Sequence, residues 1–380
     1  MKIKSKLPNT GTTIFSIMSG MAAEFSAINL SQGFPDFDVN DELIDRVNHY
    51  MKAGFNQYAP MPGVPVLREK ISSKISELYG YKYDANTEIT VTSGATEALY
   101  AAISAVVNPG DEVIIFEPAY DSYMPAITLN GGVTKFIQLK FPEYSVDWDL
   151  VRDTITDKTR LIIINSPHNP TGTILTKEDL KELSDVVKDR EIFILSDEVY
   201  EHIVFDGQKH ESVASYEELV KRSFVVSSFG KTYHATGWKV GYCVAPRPLM
   251  AEFQKIRQFV TFTTNTPMQY AIADILDKKE LYLDLSGFYQ QKRDTFLKLI
   301  EKSRFKAVKS SGTYFQMLDY SGISDTNDIE FAEILTKEYG VAAIPPSVFY
   351  DGKDDHKVLR FCFAKQDKTL EEAAGILCNI

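Results

Sequence analysis

The stretch Phe-Val-Val-Ser-Ser-Phe-Gly-Lys-Thr at residues 224–232 places a lysine directly after an apolar run that is typical of a buried strand. Its Gly230-Lys231-Thr232 resembles the end of a phosphate-binding P-loop. Such a loop requires a glycine five residues before Gly230, so that successive backbone N–H groups wrap a phosphate. That position is Val225, inside the apolar run, which argues against a P-loop. The remaining interpretations of Lys231 are a surface lysine and a nucleophile. A second lysine, Lys239, follows eight residues later.

An aspartate stands at the end of another apolar run. Asp197 follows Phe-Ile-Leu-Ser, and a carboxylate at the end of a buried strand is costly unless a cation pairs with it. A protonated pyridine nitrogen is such a cation, and an aspartate on that nitrogen together with a Schiff-base lysine marks a pyridoxal 5'-phosphate site. Tyr200 and Asn169 could reach the phenolic oxygen of the ring, and Tyr120 could stack on its face. The alternatives are that Asp197 caps a helix, that Asn169 belongs to a plain Asn-Pro turn and that Tyr120 packs in the core.

The segment Ser93-Gly-Ala-Thr-Glu97 leads from a strand-like run directly into a helix-like one. Unpaired N–H groups and the helix dipole at such a start favour an anion, so the segment predicts a phosphate seat. Ser228 could add a hydroxyl and Lys239 a positive charge. An ordinary strand-turn-helix capped by Thr96 is the alternative.

Elements of an α/β sheet would bring these residues together. Short apolar runs alternate with helix-like stretches such as 96–107 and 177–190, which predicts a parallel α/β sheet. Ligands of such sheets bind beyond the carboxyl ends of the strands, where these polar residues would gather. Lys239 precedes its strand, 240–245, so that strand must run antiparallel if Lys239 faces the same edge. The other runs are 88–93, 112–116, 160–164, 191–196 and 224–228.

The carboxyl-terminal part has a different pattern. Helix-like segments at 270–305 and 328–339 flank the strand-like runs 314–319 and 358–363. The second of these runs alternates as a half-exposed strand does. We therefore expect two domains, a large cofactor-binding domain over 41–275 and a smaller α+β domain formed by 1–40 and 276–380.

Composition argues against several classes of protein. The 380 residues are 44% hydrophobic and 24% charged, which is typical of a globular protein with a sizeable core. A formal net charge of -11 argues against nucleic-acid binding, which needs a basic surface. No apolar run approaches the ~18 residues of a membrane helix, and no His/Cys cluster has the spacing of a zinc site. The three cysteines form no CxxC pair and the start of the sequence does not resemble an export signal, so we expect a cytoplasmic protein without a metal.

The motifs, in their order and spacing, resemble the class I/II aminotransferases, a family of fold-type I pyridoxal-phosphate enzymes. Within the family they are similar to the group of the methionine, glutamine and kynurenine aminotransferases. The resemblance runs through nearly the whole chain and implies an α/β fold-type I transferase. The motifs that carry it are Ser31-Gln-Gly-Phe-Pro-Asp36, Asn56-Gln-Tyr-Ala-Pro60, Ser93-Gly-Ala-Thr96, Asn169-Pro-Thr-Gly172, Ser196-Asp-Glu-Val-Tyr200, Ser228-Phe-Gly-Lys231, Gly237-Trp-Lys-Val-Gly241 and Leu359-Arg-Phe361.

The resemblance implies a role for each matching position. Lys231 corresponds to the Schiff-base lysine, which then acts as the base on the substrate α-proton, and Asp197 to the partner of the pyridine nitrogen. Arg360 corresponds to the arginine that clamps the substrate α-carboxylate with its planar fork, although a strand-surface ion pair is the alternative. The other implied contacts are Asn169 and Tyr200 with the ring hydroxyl, Ala95, Thr96, Ser228 and Lys239 with the phosphate, and Gly33 and Asn169 with the substrate.

Two further implications concern the phosphate. Many relatives have an arginine at the position of Lys239, so the charge is kept here but the bidentate fork is not. Tyr58 corresponds to a tyrosine that reaches the phosphate bound by the neighbouring subunit. The resemblance therefore implies a homodimer with shared active sites.

Substrate choice is the next expectation. By resemblance, Phe15, Tyr123 and Phe262 line the side-chain pocket, although core packing is the alternative for all three. An aromatic, apolar wall suits methionine, phenylalanine, tyrosine or glutamine as amino donor and a 2-oxo acid as acceptor. No second arginine matches a clamp for a distal carboxylate. Because pockets separate similar apolar side chains by only ~1–3 kcal/mol per methylene, we expect a broad range of donors.

Two rival functions share this fold. A carbon–sulfur β-lyase uses the same lysine but eliminates a thiol and releases pyruvate and ammonia. A transcriptional sensor with an aminotransferase-like domain needs a DNA-binding segment, and the family pattern begins here near Ser31 in an acidic chain. The motifs and the aromatic pocket favour transamination.

Overall fold

The structure, a computed structural model, describes residues 3–380, so Met1 and Lys2 of the predicted amino-terminal segment lie outside the described residues. The strands within 3–380 are β1 (Ile28–Asn29), β2 (Ile89–Thr92), β3 (Glu112–Glu117), β4 (Val133–Gln138), β5 (Thr159–Asn165), β6 (Phe193–Asp197), β7 (Ser223–Ser228), β8 (Gly241–Val244), β9 (Lys306–Ala307), β10 (Phe315–Asp319), β11 (Val341–Ala342) and β12 (Val358–Cys362). The α-helices are α1 (Ile14–Glu24), α2 (Asp41–Lys52), α3 (Pro65–Tyr79), α4 (Ala95–Val106), α5 (Tyr123–Leu129), α6 (Trp148–Thr154), α7 (Lys177–Val187), α8 (Glu217–Val220), α9 (Phe229–Thr232), α10 (Arg247–Val260), α11 (Thr266–Leu276), α12 (Glu280–Leu283), α13 (Leu285–Leu299), α14 (Asp328–Ile334) and α15 (Asp367–Leu377).

Seven strands form the large sheet, in the order β2-β8-β7-β6-β5-β3-β4. β8 runs antiparallel to both of its neighbours, and the other neighbouring pairs are parallel. The prediction of a mostly parallel sheet with one antiparallel strand is confirmed. Because β8 starts where β7 ends, with Gly241 opposite Ser228, Lys239 lies at the same edge as the end of β7.

Both faces of the large sheet are buried. Along β5, Ile162 and Ile164 enter one hydrophobic core, while Leu161 and Ile163 enter the other. α7 contributes side chains to the first core and α4 to the second. The continuous apolar runs in the sequence therefore belong to strands that are covered on both sides. Their polar carboxyl ends meet at one edge of the sheet, where Asn165 of β5 pairs with Asp197 of β6.

The carboxyl-terminal part contains a second, antiparallel sheet in the order β12-β10-β9, as its sequence pattern predicts. α13 and α15 pack against each other in this part of the chain. β1 pairs in parallel with β11, so the amino-terminal segment contacts the carboxyl-terminal part. The domain boundaries at residues 40 and 275 stay a prediction.

β12 is buried over its whole length, so the prediction that this strand is half-exposed is wrong. On one face, Phe361 packs against the rings of Phe296 and Phe305. On the other face, the guanidinium of Arg360 lies 3.9 Å from the ring centroid of Phe315. The alternation of this strand thus separates two buried environments, a hydrophobic one and a polar one, instead of core and solvent.

Two elements, β4 and α1, lack the apolar pattern from which the other elements were predicted. β4 is the edge strand of the large sheet, and it leaves Val133 and Gln138 exposed, which breaks the apolar run. α1 carries only two buried residues, Met18 and Ala22, and shows no strong apolar period. None of the helices in residues 3–380 combines the length and the apolar character that crossing a bilayer requires.

Candidate active site

A cavity of about 270 Å³ lies at the edge of the large sheet where β5, β6 and β7 end. The structure brings most of the predicted site residues to its wall, from both sheets and from the amino-terminal segment. They are Phe15, Gly33, Ala95, Thr96, Tyr120, Asn169, Asp197, Tyr200, Ser228, Lys231, Lys239 and Arg360. Tyr58, Tyr123 and Phe262 do not line it.

Lys231 lies in α9, the single helical turn that follows β7. Its Nζ donates hydrogen bonds to the carbonyl oxygen of Gly33 at 3.1 Å and to Oη of Tyr314 at 2.8 Å. Both partners are neutral oxygens. Burial lowers the pKa of Lys231 to about 8. The amine is therefore closer to a usable nucleophile and base at neutral pH than an ordinary lysine is.

Asp197 is the last residue of β6, and only 3% of it is exposed. Its Oδ2 accepts a hydrogen bond from the hydroxyl of Tyr123 at 2.7 Å. Burial raises the pKa of Asp197 to about 6, and the hydrogen bond from Tyr123 acts in the opposite direction. The carboxylate is therefore still ionised at neutral pH, as a partner for a protonated ring nitrogen must be.

Tyr123 lies in another place than the resemblance implied. We expected it in the wall of the side-chain pocket, but it is 3% exposed and lies behind Asp197. Its position at the start of α5 packs the ring into the core beside Ile127, and a buried phenol needs a hydrogen-bond partner in the interior. Tyr123 therefore contacts the site through Asp197, and we correct its place accordingly.

The start of α4 forms a seat for an anion. No side chain within residues 3–380 caps this helix, which leaves the N–H groups of Ala95 and Thr96 for a ligand. Gly94 has a φ of 81°, and a Cβ there would lie 3.2 Å from Nζ of Lys239. Ser228 lines the cavity beside them. N–H groups, a hydroxyl and an ammonium thus converge on a seat that suits a phosphate.

Arg360 enters the cavity from β12 and is 0% exposed. Its Nη1 donates to Oδ1 of Asn169 at 2.7 Å and its Nη2 to the carbonyl oxygen of Ser31 at 2.9 Å. Its Nε has no hydrogen-bond partner within the described residues 3–380. Burial lowers the pKa of Arg360 to about 10, so the guanidinium is still charged at neutral pH. A buried guanidinium bonded to neutral oxygens is suited to bind a carboxylate.

Asn169, Tyr200 and Tyr120 complete the polar wall. The side-chain oxygen of Asn169 accepts from Arg360, which leaves the amide NH₂ free to donate to a ligand. Tyr200 is buried, and its ring meets that of Tyr314 edge to face at 5.1 Å. Burial raises the pKa of Tyr120 to about 12, so this phenol stays neutral. Asn169 and Tyr200 are therefore suited to contact a ring hydroxyl, and Tyr120 is suited to contact a ring face.

The three predicted pocket aromatics separate in the structure. Phe15 of α1 lies over Arg360, with 5.3 Å between the guanidinium carbon and the ring centroid. Phe262 lies outside the cavity together with Tyr58, and their rings meet edge to face at 5.4 Å. Tyr58 is 82% exposed and Phe262 47% exposed. Neither residue reaches the cavity of its own chain.

Two residues that the sequence analysis did not single out serve the site. Gln32 lines the cavity, and its Nε2 donates to the carbonyl oxygen of Phe15 at 3.0 Å, which ties α1 to the site. Gln32 belongs to the motif 31–36, so the sequence carried a signal for it. Tyr314 binds Lys231 and the carbonyl of Gly33. It is one of 20 tyrosines and stands in no motif that the sequence analysis used.

Known proteins are similar to this chain over most of its length. The model of the family "Aminotransferase class I and II" matches residues 26–377. The chain is 53% identical to the methionine aminotransferase of Escherichia coli (strain K12), over 98% of this chain and 96% of that protein. It is 39% identical to the kynurenine–oxoglutarate transaminase of Dictyostelium discoideum, over 97% and 94%.

A solved structure agrees with these relatives. YbdL from Escherichia coli, for which a methionine aminotransferase function was identified, has a TM-score of 0.98 to this chain at 52% identity, and the match covers 100% of both chains. The predicted family and the predicted fold-type I architecture are confirmed. The chain belongs to the class I and II aminotransferases.

Proposed function

We propose that the protein is a pyridoxal 5'-phosphate-dependent aminotransferase that uses methionine and aromatic, glutamine-like or other apolar L-amino acids as donors and a 2-oxo acid as acceptor. The observation that carries the proposal is that Lys231 and Arg360 meet in one cavity, and that among the described residues each is bonded to neutral oxygens only. A reactive amine and a free guanidinium match the two ends of an α-amino acid: the amine serves the α-carbon and the guanidinium the α-carboxylate.

The residues of the cavity fit the cofactor. Asp197 would hold the proton on the ring nitrogen, and the seat at Ala95, Thr96, Ser228 and Lys239 would hold the phosphate. The amide of Asn169 and the hydroxyl of Tyr200 would bond the ring hydroxyl, and Tyr120 would stack on the ring. When bound, the cofactor supplies the aldehyde that receives the amino group and a ring that takes up the electrons of the broken C–H bond.

The chain supplies binding and proton transfer. Arg360 would hold the α-carboxylate with its two free donor directions and its unpaired Nε, and Gly33 lies close enough to border the substrate. Lys231 would take the α-proton on Nζ, which its lowered pKa favours near neutrality. The two half-reactions would follow each other, first with the amino donor and then with the 2-oxo acid, in a ping-pong sequence.

The donor range is supported by the wall and by the relatives. Arg360 is the one arginine among the described residues that line the cavity, so no second clamp holds a distal carboxylate. Phe15 presents an aromatic surface beside Arg360. The similarity to a methionine aminotransferase at 53% identity supports methionine as a preferred donor.

A homodimer is part of the proposal. The exposed pair Tyr58 and Phe262 would be covered by a second copy of the chain and would complete that copy's cavity. Tyr58 would then donate to the phosphate bound by the partner, and Phe262 would line the partner's substrate pocket. Their exposure in one chain supports this arrangement.

The visible spectrum of the purified protein tests the function. We expect a band from the lysine-bound cofactor, which methionine alone converts to the aminated cofactor and which a 2-oxo acid restores. Lys231→Ala should lose this turnover, whereas Lys209→Ala, which removes an exposed surface lysine, should keep it. Pyruvate release from cystathionine without any acceptor would instead favour the β-lyase. A protein that binds no added pyridoxal 5'-phosphate would contradict the roles of Lys231 and Asp197 together.

A further inference from the structure

The amine of Lys231 lies in a small hydrogen-bonded cluster that the residues assigned above do not explain. Nζ donates to the carbonyl oxygen of Gly33 and to Oη of Tyr314, and the hydroxyl of Tyr314 donates to the same carbonyl at 2.5 Å. Because the proton of the hydroxyl is used on Gly33, Oη acts as an acceptor toward Lys231. The amine, the hydroxyl and the carbonyl form a closed triangle.

The neutrality of this cluster suits a group that must gain and lose a proton. A carboxylate in direct contact would stabilise the ammonium and raise its pKa. Here burial outweighs the other influences and lowers the pKa of Lys231, with Arg360 and Lys239 lowering it further and Cys362 and Asp197 opposing them. The two neutral oxygens therefore fix the place of the amine and favour its charged form less than a carboxylate would.

Tyr314 itself is held rigidly. It is 0% exposed, and its ring meets the rings of Tyr200 at 5.1 Å, Phe315 at 4.9 Å and Tyr289 at 5.6 Å. A phenol packed on several sides has little rotational freedom, so its oxygen marks a defined point in the cavity wall.

The same two backbone segments also support Arg360. Phe315, the residue after Tyr314, lies beneath the guanidinium, and the carbonyl of Ser31, two residues before Gly33, accepts from Nη2. Residues 314 and 315 thus contact Lys231 through Tyr314 and Arg360 through Phe315. Residues 31–33 supply one carbonyl oxygen to Lys231 and one to Arg360. The distance between the amine and the carboxylate clamp is set by these two short segments.

We propose that Tyr314 is a positioning residue that, with the carbonyl of Gly33, holds the free Lys231 amine where it exchanges a proton with the substrate α-carbon. This inference rests on the proposed function. In the step, the Nζ lone pair takes the α-proton, and the electron pair of the C–H bond stays on the substrate side. The resulting ammonium directs two of its N–H groups to the two oxygens.

The kinetic test compares Tyr314→Phe with the matched variant Tyr289→Phe. Tyr289 is also fully buried beside Tyr314, but its hydroxyl finds no partner in the part of the chain that the structure describes. With methionine, Tyr314→Phe should lower the maximal rate of the first half-reaction about tenfold and leave the methionine KM unchanged, because Arg360 is intact. The isotope effect with α-deuterated methionine should increase. Tyr289→Phe should match the unmodified protein.

A second readout needs no turnover. In the cofactor-free full-length protein, NMR of lysines labelled with ¹³C at Cε follows the ionisation of Lys231, whose signal is the one missing in Lys231→Ala. Removing one acceptor from the ammonium should lower the pKa of Lys231 in Tyr314→Phe and leave it unchanged in Tyr289→Phe.

The outcomes separate the two proposals. An unmodified protein that binds no cofactor or does not transaminate overturns the proposed function. An active unmodified protein whose Tyr314→Phe variant keeps its rate, isotope effect and Lys231 pKa overturns the role of Tyr314 alone. If Tyr314→Phe does not fold, 3-fluorotyrosine at position 314, a weaker acceptor, takes its place. It should slow the half-reaction with a larger isotope effect, and an unchanged rate would again overturn the role of Tyr314.

Discussion

Asp197 and Lys231 are affected by burial in the same physical way, because burial disfavours the charged form of each. The pKa of Asp197 rises to about 6 and that of Lys231 falls to about 8. Between these values both groups are still charged. Asp197 therefore carries a buried negative charge at neutral pH, and in the cofactor-free protein it lacks the ring nitrogen that would balance it.

This charge predicts that Asp197→Asn stabilises the cofactor-free protein in a pH-dependent way. Because the pKa of Asp197 is raised on folding from 3.8 to about 6, its stabilising contribution is complete below pH 3.8 and is lost as the pH rises through 6. Asparagine stays neutral, so the variant should gain about 3 kcal/mol in the free energy of unfolding at pH 8 and only about 0.6 kcal/mol at pH 4. Urea unfolding at both pH values measures the difference.

The same variant should bind pyridoxal 5'-phosphate more weakly, because a neutral amide does not balance a protonated ring nitrogen. Asp179→Asn, which removes an aspartate from the capping box of α7, is the control and should not be stabilised. A loss of stability in Asp197→Asn at pH 8 would contradict the prediction that the ionised carboxylate destabilises the folded protein before the cofactor binds.

Individual residues differ in how well the sequence predicts them. Lys231 and Asp197 follow apolar runs, so their place at the ends of strands could be inferred from the chain itself. Tyr314 and Tyr123 could not be placed in this way. Each acquires its role from a hydrogen bond to a residue far away in sequence, Lys231 and Asp197 respectively, and a tyrosine in a chain with 12% aromatics carries no local signal for it.

At the scale of elements, strands with continuous buried runs were predicted even at a sheet edge, as β2 was, whereas the edge strand β4 was not. Strands β5, β6 and β7 are buried on both faces, which gives continuous apolar runs. β4 lies at an edge and mixes polar with apolar residues. β12 alternates, but both of its faces are buried, and only the packing of α13 and the cavity reveals this.

The segment that contains Gly33 carries a prediction about substrate binding. A Cβ at Gly33 would lie 2.7 Å from Cζ of Phe315, a ring that is itself packed beneath Arg360. Gly33→Ala must therefore displace this ring and the guanidinium above it, at about 1–3 kcal/mol. We expect the methionine KM to rise about tenfold, because the carboxylate clamp moves. Steady-state kinetics over a range of methionine concentrations measures this.

Gly375→Ala is the matched control, because Gly375 lies within α15 and an added Cβ there meets no atom of residues 3–380 within 4 Å. This variant should keep the methionine KM and gain stability from better helix propensity. A Gly33→Ala variant with an unchanged KM would show that the segment can yield without moving Arg360, and would contradict the rigid support described above.

At the scale of the whole molecule, exposed apolar side chains lie together around the end of α10. Phe259 at the end of α10 is 87% exposed, Val260 is 50% exposed, and Phe262 and Tyr58 lie next to them in sequence or in space. Exposed aromatic side chains that lie this close together are typical of an interface with another protein. Because Tyr58 and Phe262 are predicted site residues that are exposed and lie outside their own cavity, a second copy of the chain is the partner that this surface suits.

The predicted dimer should therefore control cofactor binding. Phe259→Asp places a charge in the proposed interface and should yield a monomer, as sedimentation velocity measures, with weaker binding of pyridoxal 5'-phosphate because Tyr58 no longer reaches the partner's phosphate. Tyr58→Phe should stay dimeric and bind the cofactor about tenfold more weakly, since it loses only a charge-assisted hydrogen bond. Leu150→Asp, a charge introduced at the exposed surface of α6, should change neither property. If the unmodified protein is a monomer and still binds pyridoxal 5'-phosphate tightly, Tyr58 is not part of the site and the active centre lies within a single chain.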